Sequence, residues 1–324
     1  MNAKVLALAR AFRNQMPESA RPLTDAGCEV VEGPEWRPMA AEELAAILPG
    51  VGAVIAGNDR FEASVFPHAD RLKVISRWGI GVDAIDLAAA TRHGVVVTNT
   101  PGLTANAVGD FTFMLMLALA RKLCTCVDTM RSCGWDEIGG VDVWQKTLGI
   151  VGFGAIGRAV ARRAQGFEMR VLAYDVAPDR EAAAALNVTL TDLETLLRES
   201  DFLTLHASAS AESENLIDAD ALARMKPTAF LINTARGKLV DEQALARALH
   251  EGRLAGAAMD AHRCEPPGEE YVLANAPNCI LTPHSAFNSA ETVRAVNRAV
   301  AGNALAVLRG ERPAPVVNRE VYER

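Results

Sequence analysis

The sequence predicts an α/β protein made of two doubly wound parallel-sheet domains, one inserted into the other. Three observations carry that prediction. Short apolar runs alternate with longer helix-forming stretches along the chain, the pattern of parallel strands covered by helices on both faces. The stretch LGIVGFGAIGRAVARRAQGFEMRVLAYD (148–175) reads as strand, glycine turn, helix and second strand. A length of 324 residues, 50% of them apolar, suits two cores better than one.

Taken in order, Val5–Ala9, Ala53–Gly57, Val74–Arg77 and Val95–Thr98 read as strands of the first sheet, with a helix over Glu42–Leu48 that stops at Pro49. Proline and glycine in TNTPGLTAN (98–106) break the pattern, and a domain boundary is placed at 99/100. The segment NAVGDFTFMLMLALARKL (106–123) has the length of a helix but is apolar almost all round, so it must be buried on every side. Burial within one subunit and burial against a second both satisfy this; the second implies a homodimer. CGWDEIGGVDVWQKTLG (133–149) reads as an irregular lead-in to the glycine strand. Beyond Asp175, helices are expected over 192–200, 218–225 and 241–251, capped by Asp192, Asp218 and Asp241, between strands over 202–206, 229–234, 255–260 and 279–282. Ser289–Leu308 has helical spacing of small and apolar residues, and returning to the first domain is its economical place. The first domain is then discontinuous, 1–99 with 289–324, around an inserted domain of 100–288.

Composition excludes several function classes. A net charge of −7 without a basic block predicts neither a nucleic-acid partner nor an anionic membrane surface. The six cysteines (28, 124, 126, 133, 264, 279) contain no CxxC pair and suit free thiols in a reducing compartment; no metal site is expected. KVLALA is too short for a signal peptide and FTFMLMLALA too short to span a bilayer, so a cytoplasmic location is expected.

The glycine stretch points to a dinucleotide. Gly152 permits a tight turn, Gly154 lets the backbone approach a pyrophosphate, and Gly157 allows close packing of helix on strand. Free N–H groups at the helix start, around Ala155 and Ile156, suit the phosphates. Asp175, ending the second strand, can accept hydrogen bonds from both ribose hydroxyls and would repel a 2′-phosphate, which selects NAD over NADP.

Three further segments end strands with functional side chains: NTARG (233–237), MDAHRCEPP (259–267) and LTPHS (281–285). Ligands of open α/β sheets collect at the carboxyl ends of the strands, so Arg236, Glu265 and His284 can meet beside a nicotinamide, with Thr234 and Ala235 on the cofactor side. Imidazole can exchange a proton with a hydroxyl near neutral pH, a carboxylate can fix its tautomer, and a guanidinium fork matches a carboxylate. His206 ends a strand near the cofactor side; His68, His93, His250 and His262 read as structural.

With RWGIGVDAIDL (77–87), KTLGIVGFGAIGR (146–158), NTARG, the acid before proline at Glu265 and TPH (282–284) together, the sequence resembles the D-2-hydroxyacid dehydrogenase family over essentially its whole length, most of all its phosphoglycerate-dehydrogenase-type members. The resemblance implies a Rossmann NAD-binding domain inserted into a flavodoxin-like substrate domain. It also implies hydride transfer between NAD and C2 of a small 2-hydroxy or 2-oxo acid. In that scheme Arg236 binds the substrate carboxylate, His284 is the general acid/base and Glu265 is its partner. Trp78 and the backbone of Gly79, Ile80 and Gly81 line the substrate, and Asp260 holds the nicotinamide carboxamide. Several positions depart from the common pattern: Ser208 stands where proline is frequent, and Phe287 and Asn288 look closer to lactate-type members. Near 53–57 only Arg60, beside Asp59, offers a cation for a substrate phosphate. A hydroxypyruvate or glyoxylate reductase and a D-lactate-type enzyme are the alternatives within the class; an NAD-sensing, corepressor-like binding protein is the alternative outside it. The intact Arg236, Glu265 and His284 set discriminates against the last.

Overall fold

The computed structural model describes residues 2–34 and 37–323. The chain forms two compact units, Met1–Thr104 with Ser289–Arg324, and Ala105–Asn288. The first unit runs past the break expected at 99/100 because Thr100 is tied to the glycine turn at 79: its N–H donates to the Gly79 carbonyl (3.0 Å), and its hydroxyl accepts from the Gly79 N–H (3.1 Å).

In the first unit five parallel strands, β1 (Lys4–Ala7), β2 (Glu29–Glu32), β3 (Val51–Ala56), β4 (Val74–Arg77) and β5 (Val96–Thr98), lie in the order β2-β1-β3-β4-β5. This is a flavodoxin-like arrangement. The strand β2 is absent from the sequence expectation because EVVE is a partly exposed edge strand without an apolar run. The C-terminal helix Ala290–Leu308 packs on β3 and β4, where the Ser76 hydroxyl donates to the Val300 carbonyl (2.9 Å) and the Trp78 indole N–H to Asn297 Oδ1 (2.7 Å).

In the second unit seven parallel strands follow: β6 (Thr147–Val151), β7 (Arg170–Tyr174), β8 (Thr189–Leu190), β9 (Phe202–Leu205), β10 (Phe230–Asn233), β11 (Gly256–Met259) and β12 (Cys279–Leu281). Their order is β12-β11-β10-β9-β6-β7-β8, a Rossmann sheet whose direction of travel reverses between β6 and β9. Successive strand residues feed opposite cores. Val151 and Leu231 join one cluster while Ile150 and Ile232 join the other, so both faces are covered and the strands read as continuous apolar runs. Asp192, Asp218 and Asp241 each cap the helix that follows them.

The apolar segment forms the helix Ala105–Ala120, but the chain does not bury it on every side. Phe113, Leu115, Met116 and Leu119 face the core, whereas Met114 is 47% and Leu117 36% exposed. The helix ends where Lys122 adopts φ 47°, and a second helix that the sequence reading did not anticipate, Leu123–Arg131, follows with no buried residue and with Val127 and Met130 exposed. All six cysteines are free thiols. No helix among the described residues is long and apolar enough to cross a membrane.

Candidate active site

The three glycines after β6 differ in what surrounds them. Gly152 has φ 90°, and a Cβ there would lie 2.6 Å from the Ala207 nitrogen; at Gly157 it would lie 2.2 Å from the Gly152 carbonyl oxygen. Both positions exclude side chains through the packing of the chain on itself. At Gly154 a Cβ would meet nothing within 4 Å. Glycine there leaves open space beside the start of the helix Ala155–Ala164, which no side chain caps, although aspartates cap four later helices of the same unit. Uncapped first-turn N–H groups, including those of Ala155 and Ile156, beside an open glycine fit a pyrophosphate.

Asp175, just past β7, accepts from the Phe153 N–H (2.6 Å) with one oxygen and from the Ala177 N–H (2.8 Å) with the other. These bonds aim a fixed carboxylate at the end of the glycine turn. Arg158 is a nearby cation that the sequence reading passed over; it bonds the Gly154 carbonyl (3.3 Å) and Asp179 (2.8 Å). His206 leaves β9 beside the same turn. The residue keeps some exposed surface, yet neither ring nitrogen has solvent contact or a hydrogen-bond partner, and burial pushes its pKa down to about 3. A neutral ring with two unanswered nitrogens at this switch point fits a site that a ligand completes. Thr234 and Ala235 are buried beyond β10, and the Thr234 hydroxyl meets that of Thr112 at 3.2 Å.

Past the ends of β11 and β12 the chain brings Glu265 and His284 together. His284 Nδ1 lies 2.9 and 2.8 Å from the two Glu265 oxygens. Burial acts to raise the Glu265 pKa, but the hydrogen bond and charge of His284, with the N–H of His262, outweigh it and hold the carboxyl below its ordinary range. With Nδ1 facing the carboxylate, Nε2 is the nitrogen left for a substrate oxygen. His284 itself has φ 50°, a left-handed conformation that costs a histidine about 1–3 kcal/mol unless its surroundings impose it. They do: its N–H donates to the Asp260 carbonyl (2.9 Å), and the fully buried Asp260 carboxylate accepts from the Thr282 hydroxyl (2.6 Å), Ser285 N–H (2.8 Å) and Ala286 N–H (2.9 Å). Arg236 follows β10 in a loop pressed against the same region, since a Cβ on Gly237 would lie 2.0 Å from the His262 carbonyl carbon.

In the first unit the expectations need correction. Trp78, expected to line the substrate, turns its indole inward and is 6% exposed, because Asn297 of the C-terminal helix accepts its N–H. The Gly79 N–H is taken by Thr100, which leaves Ile80 and Gly81 as the available backbone donors of the turn. Arg60 is exposed, and it is not the sole cation near β3. The β3–β4 register sets Arg77 beside Ala56, where its guanidinium bonds Asn58 (2.5 Å). A sequence read one strand at a time hides that neighbour.

Residues 113–286 match the family described as D-isomer specific 2-hydroxyacid dehydrogenase, NAD binding domain. The chain is similar to a glyoxylate reductase of Thermofilum pendens, with 38% identity over 317 residues, 95% of this chain and 94% of the relative. It is also similar to a glyoxylate reductase of Thermococcus kodakarensis, 40% identical over 318 residues and 95% of both chains. A Thermus thermophilus protein of known structure superposes with a TM-score of 0.88 at 36% identity, covering 97% of this chain and 99% of the other.

Proposed function

The chain belongs to the D-isomer-specific 2-hydroxyacid dehydrogenase family, and from that premise we propose that it reduces a small, unphosphorylated 2-oxo acid of the glyoxylate or hydroxypyruvate type. It is an NAD-dependent oxidoreductase acting on CH–OH groups. The observation that carries the proposal is the His284–Glu265 pair, an acid/base with its tautomer fixed and one nitrogen left for substrate. An intact proton-transfer pair also disfavours a role in binding alone.

NAD supplies the hydride acceptor or donor. During reduction, protonated His284 gives the proton on Nε2 to the C2 oxygen as negative charge develops there, and Glu265 stabilises the imidazolium until transfer. Arg236 holds the substrate carboxylate through its two-pronged guanidinium. Asp260, fully buried with its carboxylate answered by Thr282, Ser285 and Ala286, does not reach the nicotinamide; it shapes the 282–286 turn that bears His284. Gly154, Ala155 and Ile156 receive the pyrophosphate, and Thr234, Ala235 and His206 line the cofactor side.

The names of the relatives support a small acid over 3-phosphoglycerate, the other reading within the class. The test is a panel of 2-oxo acids followed by NADH consumption. Glyoxylate or hydroxypyruvate is expected to give a higher kcat/KM than 3-phosphohydroxypyruvate, and Arg60→Ala is expected to weaken only the phosphorylated substrate. A strong preference for the phosphorylated acid that survives Arg60→Ala would sink both the substrate assignment and the role given to Arg60.

Cofactor choice is set by Asp175. A 2′-phosphate would meet its fixed carboxylate, so NADH should outperform NADPH in kcat/KM by about tenfold or more, the order of one misplaced charge pair. Asp175→Ala should narrow that ratio. Equal use of the two cofactors by the unaltered enzyme would refute the assignment.

The exposed side of the helix Ala105–Ala120 supports a homodimer. Met114, Leu117 and Ala118 line a groove with Leu123 and Phe167, rimmed by Arg121 and by the Arg163–Asp110 ion pair. A second copy laid on this face would remove the apolar surface from water and answer the burial that the sequence demands. Light scattering should report two chains at micromolar concentration; the mass of one chain throughout would contradict the dimer. The free thiols suit a cytoplasmic location.

A further inference from the structure

His262 has no part in the chemistry described so far, yet it touches each of the three loops that bear Arg236, Glu265 and His284. It is 8% exposed. Its backbone N–H donates to Glu265 Oε1 (3.0 Å), the carboxylate that faces His284. Its ring Nε2 lies 2.8 Å from the carbonyl oxygen of Thr282, two residues before His284. Its backbone is also the surface that Gly237, the neighbour of Arg236, approaches too closely for any side chain.

The hydrogen bonds define the direction of the contacts. A carbonyl oxygen only accepts, so Nε2 carries a hydrogen. Nδ1 lies 2.9 Å from the Tyr271 hydroxyl. Burial, followed by the charge of Glu242, raises the Tyr271 pKa above its ordinary value, so the hydroxyl keeps its proton, which it donates to Glu242 Oε1 at 3.2 Å. The same Glu242 oxygen accepts the Arg263 N–H (2.8 Å). The chain of contacts thus runs from the start of the helix Glu242–His250 through Tyr271 and His262 to the turn that bears His284.

Accepting His284 and Glu265 as the proton-transfer pair, we propose that His262 is a positioning residue for that pair, its backbone aiming Glu265 and its Nε2–H fixing the Thr282 carbonyl from which the left-handed His284 turn departs. The β11–β12 ladder stops at Met259 and Leu281. Beyond it the two segments leave the ladder, and the separation of Glu265 from His284 depends on cross-links of this kind. Asp260 supplies one set, to residues 282–286; the His262 ring supplies the other, from the Glu265 side. Bonds of this kind hold reacting groups within the fraction of an ångström that proton transfer requires.

The test compares His262→Phe, which keeps a ring without its nitrogens, with His262→Gln, whose amide can again donate to the Thr282 carbonyl. Glyoxylate reduction by NADH is measured against pH, NADH affinity by titration, and His284→Ala is run alongside. His262→Phe is expected to lower kcat by about tenfold and leave NADH affinity within about twofold, the scale for a reacting group displaced by part of an ångström. It should also move the loss of reduction activity to lower pH, since a looser Glu265 favours the imidazolium less; His262→Gln should recover most of both. The proposal is overturned if His262→Phe keeps wild-type kcat and pH profile while His284→Ala is inactive. It is overturned equally if His262→Gln is as impaired as His262→Phe, or if NADH affinity falls as far as kcat, which would mark His262 as ordinary core. Retention of activity in His284→Ala would instead remove the proton-transfer reading on which the proposal rests.

Discussion

Replacing His284 with alanine will lower kcat for oxo-acid reduction by about a hundredfold or more, the usual cost of losing a general acid/base, while NADH binding is unchanged. The separation follows from the chemistry: the imidazole is needed when charge develops on the C2 oxygen and is not asked to hold the cofactor. Steady-state kinetics with an NADH titration checks it, and a parallel loss of both would mean that the 282–286 turn had collapsed. Glu265→Gln makes the companion measurement. Burial acts to raise the Glu265 pKa, and the hydrogen bond and charge of His284 outweigh it. Glu265→Gln removes the negative charge that faces Nδ1, so reduction, which needs a protonated imidazole, will fail at lower pH than in the unaltered enzyme. An unshifted kcat/KM profile would leave Glu265 without a role in proton transfer.

Arg236→Lys will lower kcat/KM for the oxo acid by about ten- to a hundredfold, the effect of one lost charge-assisted hydrogen bond of about 1.5–3 kcal/mol. Lysine keeps the positive charge but cannot present two parallel N–H groups to a carboxylate. The loss should divide between a higher KM, from weaker holding, and a lower kcat, from an acid that no longer points its C2 oxygen at His284. Assays with glyoxylate over a range of concentrations separate the two. Wild-type values of both parameters would assign the carboxylate to other donors and leave Arg236 a loop residue.

The sequence alone determined the Rossmann unit and its cofactor, NAD. Glycine turns, strand-end acids and helix caps are local rules, satisfied within a few residues by backbone sterics and hydrogen bonds, so GFGAIG, Asp175 and the aspartate caps are legible without a structure. It pointed to the candidate residues Arg236, Glu265 and His284 for the same reason, because each follows a recognisable strand end. It could not show which neighbours the parallel sheets supply, since partners in a parallel ladder are separated by whole helices in the chain. Hence Arg77 beside Ala56, the Trp78 indole turned onto Asn297, and the half-exposed strand Glu29–Glu32 emerged only from tertiary structure. The apolar helix at 105–120 marks the same limit: composition demands burial, but only packing decides which side goes without, here Met114 and Leu117. His262 is the sharpest case. As one histidine among six it carries no signal, and its surroundings arise because three loops, distant in sequence, leave adjacent strands at one edge of a sheet and converge on a single ring and its backbone.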